Sequence, residues 1–183
     1  CAGRCGQLVM GLSMVWAREP LCAKKSPVLC RVHEEPSPEK LNALRDTAQA
    51  AGLTLAKGQV LQTRHLNQLL DAAAGTEQAE LINISTLRSM TQAYYAPSNF
   101  GHFGLALRDY AHFTSPIRRY ADLIVHRALI SAHGWGDDGL TPEATEVLEK
   151  TATHISDTER RSMLAERDTT ERSHAASMHT RTR

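Results

Sequence analysis

Aromatic side chains are scarce in this chain of 183 residues: four tyrosines, three phenylalanines and two tryptophans make up 5% of it. Apolar runs are short. None approaches the roughly 20 residues that a membrane-crossing helix requires, so no membrane association is expected. Charge of one sign is also missing. The 21 Lys and Arg residues nearly balance 20 Asp and Glu, and the net charge of +1 names no partner. Metal-site spacings are absent as well. His33, His65, His102, His112, His126 and His154 form no HxH or HExxH pattern, so they are not read as metal ligands. Cys1, Cys5, Cys22 and Cys30 are separated by 3, 16 and 7 residues, which fits no CxxC zinc motif. They read as free thiols in a reducing compartment. No basic–apolar–small leader opens the chain, which points to the cytoplasm. What is present, 42% hydrophobic and 22% charged residues, is globular composition. A chain of this length is enough for one domain with a real core.

The chain reads as helix-rich with one small β element, an α+β class. Residues 1–20 are broken by Gly3, Gly6 and Gly11 and carry no helical stripe. A short strand is expected within Lys24–Val32. Ser37-Pro38 starts a helix, with Ser37 as cap and Pro38 at the first position, where no amide donor is needed. Leu41, Leu44 and Ala48 form its apolar face and Gly52 its stop. Further helices are expected over His65–Ala74 and over Gln78–Gln92, the latter with Leu81, Ile84, Leu87 and Met90 or Thr91 on one side. Phe103–Leu107 alternates large and small residues as a strand does, with Arg108-Asp109 as a turn and Tyr110–Phe113 as partner. Ser115-Pro116 repeats the helix-start chemistry for a helix with Ile117, Tyr120, Ala121, Ile124 and Ala128 inward. A loop over Gly134–Gly139 follows, in which Asp137 and Asp138 read as solvated turn residues. Thr141-Pro142 opens a last long helix burying Val147, Leu148, Thr151 and Ile155 and reaching Arg172.

Seven of the nine aromatic residues lie between Tyr94 and Tyr120, and the chemistry gathers there. With Ser115 as cap, Arg118 falls in the first helical turn, beside free amide donors and the positive end of the helix dipole. A guanidinium at that place can grip a phosphate through two parallel donors. His112, Ser115 and Arg119, with the Tyr110, Phe113 and Tyr120 rings, are close in sequence. Charged donors interleaved with rings suit single-stranded nucleic acid, whose backbone needs charge and whose bases need stacking faces. The blander alternative is a capped amphipathic helix with solvated arginines and core rings. Glu159–Asp168 is a second arginine-rich stretch, in which Ser162, Glu166 and Thr169 or Thr170 share a helical face. Alone it reads equally as a solvated face with weak Glu–Arg pairs.

The run Gly101-His-Phe-Gly-Leu-Ala-Leu107, followed by Tyr110-Ala-His-Phe-Thr-Ser-Pro-Ile-Arg-Arg-Tyr-Ala-Asp-Leu123 and Val125-His-Arg-Ala-Leu129, resembles the signature of the RNase II/RNase R family. Arg31–Pro38, Lys57–Val60, Leu87–Met90 and Glu159–Thr170 add to the likeness. It runs from about Leu21 to about Arg172 and covers the C-terminal part of an RNB catalytic domain. The resemblance implies a mostly helical, incomplete α+β portion of that domain with a short strand pair. It implies 3′-to-5′ hydrolysis of single-stranded RNA in a Mg2+-dependent reaction. It also implies catalytic roles for Arg118, in Ser-Pro-Ile-Arg, and for Glu166, in Ala-Glu-Arg-Asp. Tyr110, His112, Ser115 and Arg119 are candidates for RNA contact. Single-stranded RNA is the expected partner, and no obligate protein partner is expected.

The sequence also departs from that family. The family's metal ligands are aspartates in a D-x-D-D core, and the aspartates here, at 46, 71, 109, 122, 137, 138, 157 and 168, lack that spacing. Mg2+ is thus expected from the family while its ligands are not among these residues. Residues 1–20 and 173–183 do not match the family pattern and read as out-of-frame ends. Two other readings therefore stay open: a catalytically inactive remnant that binds single-stranded RNA, and a truncated product without a function of its own. Exposed apolar surface and marginal stability are expected of such a portion.

Overall fold

The computed structural model describes residues 19–24, 26–55 and 62–181. The expectations for residues 1–18 and for the Lys57–Val60 stretch lie outside them. The elements in chain order are α1 (Glu19–Ala23), β1 (Cys30–Val32), α2 (Pro38–Ala50), α3 (Thr63–Ala73), α4 (Ala79–Ser89), β2 (Tyr94–Ala96), a 3-10 turn (Phe103–Leu105), α5 (Tyr120–His133), α6 (Pro142–Glu146) and α7 (Leu148–Arg181). The α+β class holds, with helices around one two-stranded antiparallel sheet.

Local chemistry sets several boundaries as expected. The Ser37 hydroxyl accepts from Lys40 N at 3.4 Å with Pro38 at the first position of α2, and Thr141 accepts from Ala144 N at 3.2 Å ahead of Pro142. Gly134, at φ 64°, ends α5 in the left-handed conformation, which a glycine adopts without strain.

The sheet pairs Cys30 with Ala96, Arg31 with Tyr95 and Val32 with Tyr94. Side chains alternate across a sheet, so this register decides what faces what. Cys30 and Val32 enter one core with Leu21, Ala111, Val125 and Ala128, and Tyr94 and Ala96 pack beside them. Arg31 and Tyr95 face the other way. There Tyr95 joins Leu29, Ala121, Ile124, Leu148 and Ala152 beneath α7. A third core, built on Leu44, Leu66, Leu69 and Ile82, knits α2, α3 and α4 together. The Cys30 side chain is fully buried in the first of these cores. No helix among the described residues is long and apolar enough to cross a membrane.

Four expectations need correction. First, the strand pair lies at 30–32 and 94–96, not at 103–113. Phe103–Leu107 coils instead because Gly104 N donates to His33 Nδ1 at 2.8 Å and Ala106 turns left-handed at φ 55°. Second, α4 buries Ile82, Thr86 and Ser89 and leaves Leu81, Ile84 and Leu87 exposed. Third, the last helix breaks at Val147. Leu148, Ala152 and Ser156 are buried in α7 while Val147 is exposed. Fourth, residues 115–119 are not helical. Arg118 N and Arg119 N both donate to Ser115 O, at 3.2 and 3.0 Å, making a turn from which α5 starts at Tyr120. Ile117 and Tyr120 are exposed, not core.

Every residue of α7 from Arg160 to Ala175 is exposed, so the helix leaves the body of the fold after about three turns.

Candidate functional site

The Ser115–Arg119 turn and α7 face each other across a cleft of about 800 Å³. Arg118 and Tyr120 stand on the turn side. Thr158, Ser162 and Glu166 recur at helical spacing on the α7 side. Tyr95 and Glu159 also line it. The two residues assigned catalytic roles from the sequence therefore meet at one cleft, although 48 positions separate them in the chain. Neither Arg118 nor Glu166 has a salt-bridge partner among the described residues.

The turn is held from behind. Asp122, in the first turn of α5, has a fully buried side chain. Its Oδ2 accepts from Ser115 N at 2.7 Å and from Arg119 Nη2 at 2.9 Å, and its Oδ1 accepts from Arg119 Nε at 2.8 Å. Arg119 lines the cleft, yet its guanidinium is committed to Asp122. Arg118 N is likewise bonded to Ser115 O, so Arg118 does not sit among free helix-end amides as the capping argument expected.

Beneath the cleft, Arg31 reaches from β1 to α7. Its guanidinium lies 4.6 Å from the centre of the Tyr95 ring and donates twice to Glu159, at 2.5 and 3.1 Å. Tyr95 OH shares a 2.8 Å hydrogen bond with His112 Nδ1. A series of rings continues behind it, from His112 to Tyr110 at 5.7 Å and from Tyr110 to His102 at 5.1 Å, each edge to face. Burial sets the protonation of this series. It pushes the Tyr95 phenol up to about 12 and pulls the His112 imidazole down to about 4, where the Arg119 and Arg31 charges add to the effect. His102 is lowered to about 4 by burial, then by His33 and Arg31. Burial likewise raises Tyr110. A neutral imidazole and an intact phenol thus share the Tyr95–His112 bond. Tyr110 and His112 form part of the support beneath the cleft, since neither lines it.

The oxygen donors of the cleft do not suit Mg2+. That ion takes near-octahedral oxygen ligation, and a site built by the protein gathers more than one free carboxylate around it. Glu159 is bound to Arg31 and Asp122 to Arg119, which leaves Glu166 alone. No group of three or more His, Cys, Asp or Glu among the described residues is arranged to hold a metal ion.

Sequence reasoning named Arg118 and Glu166 but missed Arg31, Tyr95, Asp122 and Glu159. Only Asp122 carried a local signal, as an acidic residue three positions after an arginine at a helix start.

The fold that carries this cleft is shared with known proteins. The RNB domain pattern matches residues 12–133, and the chain belongs to the RNB domain family. Among its relatives is ribonuclease R of Escherichia coli (strain K12), which is 43% identical over 152 residues, 79% of this chain and 19% of that protein. The fold is similar to Mycoplasma genitalium RNase R in complex with ribose-methylated single-stranded RNA, with a TM-score of 0.76 at 30% identity, over 87% of this chain and 26% of that one. It is also similar to a yeast pseudonuclease, with a TM-score of 0.66 at 25% identity, over 80% of this chain and 18% of that one. The chain spans about a fifth of the length of the curated relatives it matches.

Proposed function

We propose that residues 21–172 form the C-terminal part of the RNB domain of a cytoplasmic 3′-to-5′ exoribonuclease, and that the cleft holds the 3′ end of single-stranded RNA. The observation that carries this reading is Arg118, an exposed guanidinium without a salt-bridge partner among the described residues, standing across the cleft from Glu166. In this role Arg118 forks onto a phosphate and stabilises the charge that builds on it. Glu166 accepts hydrogen bonds from the terminal ribose. Ser115 shapes the turn, while Tyr110 and His112 brace Tyr95 from below. Arg119 acts through Asp122 instead of touching RNA. The described residues of the cleft do not gather the ligands that the family's Mg2+ would need.

A second reading has its own support. Of the two described carboxylates that line the cleft, Glu159 is neutralised by Arg31, and one similar fold belongs to a pseudonuclease. On that reading the chain binds single-stranded RNA without cutting it.

One assay separates them. A 5′-labelled single-stranded RNA is incubated with the purified chain and Mg2+, beside Arg118→Ala. Stepwise shortening from the 3′ end, lost in the variant, supports hydrolysis. Binding without shortening, weakened about tenfold in the variant as expected for one charged phosphate contact, supports the second reading. Neither cleavage nor binding at low salt overturns both.

A further inference from the structure

Arg118 stands in the Ser115–Arg119 turn, whose tip side chains do nothing to hold it. Pro116 begins the turn, Ile117 at the tip is fully exposed, and Arg118 is exposed beside it. Burial therefore gives this conformation no reward; an isoleucine would be better covered in almost any other one. Besides the Arg118 and Arg119 amides given to Ser115 O, what ties the turn down is a single carboxylate. Asp122 takes the amide of Ser115 at the first residue and two guanidinium donors of Arg119 at the last, all within 2.9 Å. A fully buried carboxylate needs such partners, because an unpaired charge in the interior is strongly unfavourable. The same need makes the arrangement all-or-none: the carboxylate is satisfied only when residues 115 and 119 are both brought to it, and that leaves 117 and 118 pointing outward.

We propose that Asp122 is a positioning residue, which fixes the turn so that Arg118 is presented to the cleft, with Arg119 as its counter-charge. The inference rests on the reading of Arg118 as a phosphate contact. Asp122 touches no ligand. Its effect on binding passes through Arg118 and disappears when Arg118 is gone.

A double-substitution experiment tests this on the full chain, with a 5′-fluorescein-labelled single-stranded RNA as probe and its affinity followed against salt. Arg118→Ala is expected to weaken binding about tenfold and to lower the salt slope by about one phosphate contact. Asp122→Asn, in chain shown by its melt to be folded, is expected to lose nearly as much in affinity and the same increment in slope. Arg118→Ala/Asp122→Asn should then be no weaker than Arg118→Ala alone. A merely structural role would add the two losses and leave the slope unaffected by Asp122→Asn. If Asp122→Asn fails to fold, Arg119→Met/Asp122→Leu replaces the charges by packed apolar groups and carries the same expectation. If Arg118→Ala weakens binding while neither Asp122 variant does, the positioning role is overturned and the RNA reading stands. If Arg118→Ala itself changes nothing, the RNA reading falls and the positioning role falls with it.

Discussion

The Arg31–Glu159 pair makes a quantitative test of how the cleft is braced. Arg31 is 14% exposed and Glu159 34%, with two hydrogen bonds between them and the Tyr95 ring beneath the guanidinium. Hydrogen bonds to charged groups contribute roughly 1.5–3 kcal/mol, whereas fully exposed pairs contribute about 0–1 kcal/mol. This pair lies between, so Glu159→Gln, which keeps one accepting oxygen, should cost about 1.5 kcal/mol. Arg31→Met keeps an apolar stem on Tyr95 but removes the charge above the ring, and should cost about 2 kcal/mol. The double variant should lose less than the sum, with a coupling energy of about 1 kcal/mol. Urea denaturation of the four chains measures this, and for a chain of this size each kcal/mol also moves the melting temperature by about 2–4 °C. High salt should reduce the coupling only slightly, because the pair is in contact and mostly screened from solvent by Tyr95 and α7. A coupling below about 0.3 kcal/mol would refute the account of a bridge tying β1 to α7.

Two further outcomes are expected. His102 and His112 are held neutral down to about pH 4, against 6.5 in the open chain. Between those values the unfolded chain binds protons that the folded one refuses, so stability present above about pH 6.5 is lost as pH falls toward 4; the urea midpoint should be lower near pH 5 than near pH 7, and His112→Gln should flatten the difference. Gly139→Ala should lower the melting temperature, since its Cβ would meet Ser131 Oγ at 2.3 Å and Ser131 N at 2.9 Å. Backbone on one side cannot yield, and overpacking of this kind costs about 1–3 kcal/mol. A midpoint equal to that of the parent would contradict the close approach of the Gly139 loop to α5.

The parts of the fold that were legible are those governed by neighbours in sequence. Ser37-Pro38 and Thr141-Pro142 state their helix starts locally, and α2 and α3 carry clear apolar stripes. Arg118 and Glu166 were named through family likeness, and the cleft brings them together. The parts that were missed depend on partners far along the chain. A three-residue strand has no periodicity to read, so the pairing of Arg31 with Tyr95, and through it the contact with Glu159, had no local trace. In α4 the exposed Leu81, Ile84 and Leu87 are larger and more apolar than the buried Thr86 and Ser89, so counting hydrophobic residues selects the wrong face. At Ser115 the cap chemistry was present, but Asp122 draws the Ser115 amide to itself and delays the helix by four residues relative to Pro116.

The two sides of the cleft differ in what backs them. The Arg118 turn is tied to a buried carboxylate and to the core around Ala121 and Ile124. Glu166 sits in the exposed stretch of α7, where Thr169 and Thr170 bond back to the carbonyls of Ala165 and Glu166. A solvent-exposed helical stretch of this kind stands near its own coil equilibrium, and threonines bonding to their own turn tilt it further. The cleft is therefore complete only while those turns are wound. Any molecule that spans both sides acts as a splint: occupancy and helix content rise together, and its measured affinity includes the work of winding the far side.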